Sequence, residues 1–317
     1  MVVRYLIRRL VGMIPLLLLI TALVFFLGQY GAGDEALNLT MQMNDGSFDP
    51  KLYQDLRHKL GEDEPAPIRF EQFVVGAAHG NFGVSYVLPG TPDIGQMIAT
   101  SLPISLQLGL AAMVIVVIVG IPLGTLAAVW RNSFLDYLIV FVGTVLSATP
   151  AFVLAPIAMV LLVIQFHLLP TVAIGWQGLT NPNTLFPAAC LAAGPLLQVV
   201  RFTRSSVINA LSQEYVRAAR ARGLSEFRVV TGHVIKNAMT PVLTVLGLAT
   251  AHVVSGSIFI ETIFNIHGFG FVAVSAFQGG DVQTVAATTL VSALIIVTAN
   301  LLVDLTYGAL DPRVRLS

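Results

Sequence analysis

Charge is scarce in this chain. Asp, Glu, Lys and Arg make up 11% of its 317 residues, against about 25% in an ordinary soluble domain. Hydrophobic residues make up 56%, and the mean hydropathy is +0.82. That composition excludes a water-soluble globular protein and leaves a polytopic membrane protein. Lysine is scarcer still: Lys51, Lys59 and Lys236 are followed by Leu52, Leu60 and Asn237. A phosphate-binding P-loop needs Lys followed by Ser or Thr after a glycine-rich turn, so an intrinsic ATPase of that form is excluded. No HExxH or GxSxG pattern occurs, and the six histidines are scattered. No enzyme chemistry is visible. The one cysteine, Cys190, allows no internal disulfide and reads as a small buried hydrophobe. The 17 basic and 17 acidic residues balance to zero, which says nothing about nucleic acid because the charges are segregated along the chain.

What is abundant is long apolar runs. A bilayer core needs about 20 such residues per helix. Six segments qualify, at 10–30, 102–130, 135–164, 185–200, 239–260 and 282–307. The first is longer than a signal-peptide core and reads as a retained span. Pro150 and Pro156 should kink the third. The fourth is short and contains Gly194 and Pro195. Arg201, Glu261 and Asp304 fall at span ends, where snorkelling explains them. The span centres hold no Asp, Glu, Lys or Arg, which argues against a proton relay. A secondary transporter would show inverted repeats and coupled ionisable groups, and neither is evident.

Charge in the connecting segments alternates. Arg4, Arg8 and Arg9 precede the first span, Arg131 follows the second, and Arg313 and Arg315 end the chain. Residues 201–236 carry seven Lys or Arg against Glu214 and Glu226. The other connections contrast. Residues 31–100 hold Asp34, Glu35, Asp45, Asp49, Glu62, Asp63 and Glu64 among their charges, and the loops around Gly175 and Gly270 have no Lys or Arg. The positive-inside rule then puts both termini and the basic segment in the cytoplasm, and the acidic region and the glycine-rich loop near Gly268 outside.

The basic segment EYVRAARARGL, from Glu214 to Leu224, is unusual between two apolar spans. Ser212 is expected to N-cap a helix that starts at Gln213 and Glu214, with the acidic side chain in the first turn. Gly223 is placed to end it in a left-handed turn. Ser225 then caps a second helix that leads through Val229, Val230 and Ile235 into the fifth span. Ala218, Ala219 and Ala221 give a small, close-packing surface. Tyr215 and Leu224 are candidate plugs, ringed by Arg217, Arg220 and Arg222. A basic helix lying on anionic headgroups is the rival reading. With one or two bulky apolar residues to insert, docking to a soluble partner fits better.

This hairpin resembles the EAA loop of ABC-importer permeases: Glu-Ala-Ala, three residues, then Gly. Here Arg217-Ala218-Ala219 is followed by Gly223 at that spacing, with Arg in place of Glu. The replacement, and GHVIKNAMTPVLT from Gly232, resemble the peptide and nickel subgroup. A salt bridge of the family's Glu therefore does not carry over. RYLIRRLVGMIPLLLLITALVFFL from Arg4, GNFGVSY from Gly80, LDYLIVFVGTVLSATPAFVLAP from Leu135, GSIFIETIFNIHGFG from Gly256 and DLTYGALDPRVR from Asp304 resemble further family stretches in the same order. Asn81 stands where Asp is common and His267 where Pro is usual. Residues 33–68 match least.

The resemblance implies an all-α polytopic membrane protein with six transmembrane helices in the type I ABC importer permease (MetI-like) fold. It implies the first-permease (B-type) subunit of a dipeptide or oligopeptide importer, in a bacterial or archaeal cytoplasmic (inner) membrane. Nickel, glutathione and haem are alternative solutes. The implied partners are a second, homologous permease subunit (in this family usually a related but different chain), two ABC ATPase subunits or domains, an external solute-binding protein and the lipid bilayer, with no nucleic acid. ATP and Mg would sit in the ATPases, and no cofactor or metal in this chain. The expected organisation is an N-terminal arm and first helix (1–30), an external loop region (31–100), a five-helix core (101–310) with coupling helices at 212–236, and a cytoplasmic tail (311–317). Glu214, Tyr215, Arg217, Ala218, Ala219, Arg220, Arg222, Gly223 and Leu224 would contact an ATPase. Polar positions on apolar spans are pathway candidates: Thr144, Ser147, Thr149, Thr250, His252, Ser255, Ser257, Thr288 and Ser292. Each also reads as interhelix packing.

Overall fold

A computed structural model gives the fold. It describes the backbone of residues 2–31, 33–88, 90, 92–168, 178–179, 181 and 184–310, and their side chains except at 2–8, 10, 251, 252, 254–256 and 302–310. The loop around Gly175, the tail at 311–317 and the side chains of Arg4, Arg8, His252, Ser255 and Asp304 lie outside the described residues. The described residues are helical apart from turns and one isolated antiparallel bridge between Val84 and Asp93. They form two compact units, 1–103 with 267–297, and 104–266 with 298–316.

The first unit contains α1 (Val2–Gly31), α2 (Glu35–Met43), α3 (Pro50–Lys59), α4 (Ala66–Ala78) and α12 (Phe269–Gly279). It also holds the start of α5 (Ile94–Val129) and most of α13 (Val282–Leu310). The region 31–100, expected as a loop, is therefore largely helical. Its helix starts are locally encoded. Asp34 accepts the Leu37 N–H at 2.8 Å, and Asp49 accepts the Lys51 N–H at 2.9 Å with Pro50 at the first helical position. Phe25 and Phe26 of α1 meet Phe70 and Phe73 of α4, with ring centroids 5.5–6.0 Å apart. These rings join Ile94, Ile98, Phe269 and Ala286 in one core. The glycine-rich segment near Gly268 is also a correction: Gly268 starts α12, which is apolar but only 11 residues long.

The second unit holds the rest of α5, then α6 (Phe134–Ala148), α7 (Ala151–Met159), α8 (Leu185–Leu211), α9 (Glu214–Ala221), α10 (Glu226–Val229) and α11 (Ile235–Ile263). Among the described residues of the whole chain, five helical segments are long and apolar enough to cross a bilayer, and a bent pair makes six if it counts as one span. That pair is α6 and α7. The expected kink is a break of 108°. Thr149 is extended (φ −95°, ψ 118°) because the residue before proline is pushed out of the helical region. Pro156 is accommodated inside α7, and a π-helical stretch, Val160–Gln165, follows it.

The fourth span, expected to stop at 200, runs to Leu211. Hydropathy ends where Arg201 and Arg204 begin, but backbone hydrogen bonding does not require apolar side chains. Against it packs α5, through two glycines four residues apart. A Cβ on Gly120 would lie 3.1 Å from Val199 Cγ1. A Cβ on Gly124 would lie 2.6 Å from the Val200 carbonyl oxygen and 2.7 Å from Thr203 Cβ. Small residues at this spacing let helix backbones approach closely in lipid.

Candidate functional site

Helix α9 is amphipathic on a small scale. Val216 and Ala219, three residues apart, are buried, and they pack with Val207 and Ala210 of α8 and with Val229, Val234 and Ala238. The remaining positions of α9 are exposed, Tyr215 at 39%. The three alanines therefore divide. Ala219 fastens the helix to its own chain, while Ala218 and Ala221 face outward beside Arg217 and Arg222.

The ends of α9 differ in part from expectation. Ser212 does not cap it. Its hydroxyl donates to the Asn209 carbonyl at 2.7 Å, closing α8. Gln213 occupies the N-cap position, with no side-chain cap bond, and Glu214 stands in the first turn. At the other end Gly223 has φ +78°, the left-handed conformation that the sequence suggested. The Gly223 N–H donates to the Arg220 carbonyl (2.9 Å) and the Leu224 N–H to the Ala219 carbonyl (3.4 Å). This is a Schellman turn. Leu224 is half-buried against the packing face. Ser225 sits at the start of α10 with extended backbone but makes no capping bond.

Arg220 is committed within the hairpin. Its Nε and Nη2 donate to Glu226 Oε1 and Oε2 at 2.7 and 3.1 Å, tying α9 to α10 across the glycine turn. Both side chains are largely exposed, so this pair orients more than it stabilises. Arg217, Arg222 and Arg228 remain exposed around it. The outcome is a short helix, packed against its own chain on one side, that presents Tyr215, two alanines and arginines outward.

One feature of this unit was missed in the sequence. Asp136, at the start of α6, is 1% exposed. It accepts Nε and Nη2 of Arg204 on α8 at 2.6 and 2.7 Å, and the Asn132 N–H at 3.0 Å. Ser133 caps the same turn, accepting the Asp136 N–H at 3.3 Å. The available signal was a Ser followed three residues later by Asp at the head of an apolar run.

The pathway candidates are spread over both units. On α6, Thr144 and Ser147 are exposed, and Thr149 stands at the break. Their hydroxyls donate to carbonyls of their own helix, at 2.8, 3.1 and 3.0 Å. Thr250 does the same at 3.0 Å, and Ser257 is buried. In the first unit Thr288 is buried and donates to the Thr284 carbonyl at 2.8 Å, while Ser292 is half-buried. Glu261 is fully buried in the last turn of α11, and His267 packs edge-on against Phe271. Among the described residues no cluster of His, Cys, Asp and Glu has the makings of a metal site.

A buried carboxyl also stands out in the first unit. Glu35 is 5% exposed. Its pKa is pushed up to about 8, chiefly by burial and then by the neighbouring Asp281 and Glu62; Arg69 and the Val282 N–H act the other way. Asp281 itself is buried, accepting the Ser85 and Thr284 hydroxyls at 2.6 Å each.

Comparison with known proteins agrees along nearly the whole chain. The family model described as "Binding-protein-dependent transport system inner membrane component" matches residues 120–316, and the model for the N-terminal part of such components matches residues 2–108. The dipeptide transport system permease protein of Bacillus subtilis (strain 168) is 34% identical over 314 residues, covering 99% of this chain and 98% of that protein. Its namesake in Lactococcus lactis subsp. cremoris is 35% identical, covering 99% and 100%. The glutathione transport system permease protein of Escherichia coli (strain K12) is 34% identical, covering 98% of each. A solved structure of the MetNI methionine ABC transporter, in an inward-facing conformation, aligns with a TM-score of 0.54 at 13% identity. It covers 68% of this chain and 97% of that one, a likeness of fold. The chain belongs to the family of inner membrane components of binding-protein-dependent transport systems.

Proposed function

We propose that this chain is one of two permease subunits of an ATP-driven importer for short peptides, and that α9 is where a cytoplasmic ATPase docks. The observation that carries the reading is the build of α9. Val216 and Ala219 fix it from behind, the Gly223 turn and the Arg220–Glu226 pair fix its end, and its outer face is small, basic and exposed. A helix that transmits force needs this rigidity, and a close-fitting groove needs side chains as small as Ala218 and Ala221.

In this reading both termini and α9 face the cytoplasm, and ATP and Mg are held by the partner ATPases, so this chain hydrolyses nothing. ATPase closure draws the docked helices of the two permeases together. Solute arrives on an external binding protein and passes between the permeases. Ser147 and Thr149 at the α6 break, with Ser257, Thr288 and Ser292, are the proposed pathway hydroxyls, together with His252 and Ser255. Dipeptides are the first solutes to test, because relatives along the whole chain are named for them; glutathione, itself a tripeptide, is the second. The test is ATP-dependent uptake of a radiolabelled dipeptide and, in a parallel assay, of radiolabelled glutathione by proteoliposomes holding the complete transporter. Uptake with either solute supports the reading. Absence of ATP-dependent uptake of both rejects the peptide assignment.

A further inference from the structure

Helix α9 can drive the membrane helices only if its motion is passed on. Its link to α8 is tight: Ser212 and Gln213 alone separate them, the Gln213 N–H donates to the Ala210 carbonyl at 3.2 Å, and Val216 and Ala219 pack on Val207 and Ala210. The link from α8 to α6 is of another kind. At Gly143 the helices touch through apolar groups, a Cβ there lying 3.1 Å from Leu197 Cδ2. Lipid tails are as apolar as such side chains, so little resists sliding along a contact of this sort.

The Asp136–Arg204 bond does resist it. A carboxylate and a guanidinium joined at two points fix distance and orientation together. The Asp136 side chain is 2% exposed and that of Arg204 27%, so water does not readily replace either partner. Separating them would leave a buried charge uncompensated. Asp136 is held in turn by the Asn132 N–H, so the load enters α6 at its first turn. The other end of α6 is the Thr149–Pro150 break, where the chain turns by 108° into α7.

We propose that Asp136 and Arg204 are positioning residues for transport: their two-point bond makes α6 and α8 one rigid body, so that displacement of α9 reaches the α6–α7 break. The inference rests on the reading of α9 as the ATPase docking helix. The experiment measures ATP hydrolysis and dipeptide uptake in the same proteoliposomes, for the wild-type transporter, Asp136→Asn, Arg204→Lys, and the exchange Asp136→Arg with Arg204→Asp. Asp136→Asn is expected to keep hydrolysis within about twofold while uptake per ATP falls at least about tenfold. Arg204→Lys, with charge but no fork, should fall between, and the exchange, which restores the pair but not the Asn132 contact, should recover part of the coupling. Spin labels on Phe134→Cys and Phe202→Cys, in a Cys190→Ala background, should give one narrow distance in wild type and a broadened one with Asp136→Asn. Hydrolysis and uptake falling in parallel, uptake per ATP unchanged, or label distances indifferent to Asp136→Asn would each overturn the inference. A transporter with Asp136 and Arg204 intact whose hydrolysis ignores substitutions on the outer face of α9 would remove the docking reading and this inference with it. That failure is recognisable because it occurs with the ion pair intact.

Discussion

Adding a methyl group to three glycines should change stability with opposite signs, because helix propensity and steric clash compete. Gly to Ala inside a helix gains about 0.8–1 kcal/mol from backbone entropy. At Gly12 on α1 nothing lies within 4 Å of the added Cβ, so the full gain is expected. At Gly120 the nearest atom is a Val199 methyl at 3.1 Å. A flexible side chain can yield by a few tenths of an ångström, so gain and cost roughly cancel. At Gly124 the Cβ would stand 2.6 Å from a carbonyl oxygen and 2.7 Å from Thr203 Cβ, atoms on or next to the α8 backbone. Carbon contacts are favourable at about 3.5–4.0 Å, so the helices must part by roughly 1 Å. Overpacking of that kind costs about 1–3 kcal/mol. Net of propensity, Gly124→Ala should destabilise by up to about 2 kcal/mol, which sets it about 1–3 kcal/mol below Gly12→Ala. Equilibrium unfolding in mixed micelles measures the series. A Gly124→Ala variant as stable as Gly12→Ala would refute the close approach of α5 to α8.

Glu35 gives a dependence on pH. The folded chain holds its proton up to about pH 8, whereas the carboxyl ordinarily loses it at 4.5. Stability is therefore greatest below 4.5 as far as this group is concerned, and it falls as pH rises from 4.5 to about 8, by up to about 1.4 kcal/mol per unit. Glu35→Gln should flatten that part of the melting-temperature profile, and parallel profiles would contradict the burial of Glu35 beside Asp281. Gly223→Ala meets no neighbour but must adopt φ +78°, at a cost of about 1–2 kcal/mol. Exchange of the Leu224 N–H should accelerate by about five- to thirtyfold for a loss of that size, and less in Gly223→Asn, because Asn visits this conformation more readily. Equal rates in all three would contradict the Schellman turn.

Much of this architecture was legible in the sequence. Apolar runs located the five membrane-length helices among the described residues, and the bent α6–α7 pair, because bilayer thickness demands such runs. Glycine at 223 foretold a left-handed residue because other side chains are strained there. The break at Thr149 was read only as a kink: the sequence names the proline but not how far neighbouring helices let the chain turn. Helix α12 went unseen because its glycines and short length resemble a loop. Ala218 and Ala219 look alike in sequence, and only the direction of α8 decides that Ala219 faces inward. A charge change at Ala219 would therefore disrupt the hairpin itself and say nothing about a partner. The Asp136–Arg204 bond joins residues 68 positions apart, and no local pattern reports such a distance.

The central claim is that the outer face of α9 receives an ATPase. The most direct measurement is the ATP hydrolysis that stays with this chain when the transporter is purified from its native membrane, for wild type and for Ala218→Trp. Ala218 is exposed on the outer face of α9, so the variant should keep the wild-type melting temperature. The account predicts at least a tenfold loss of co-purifying hydrolysis. Full hydrolysis retained with Ala218→Trp would contradict it.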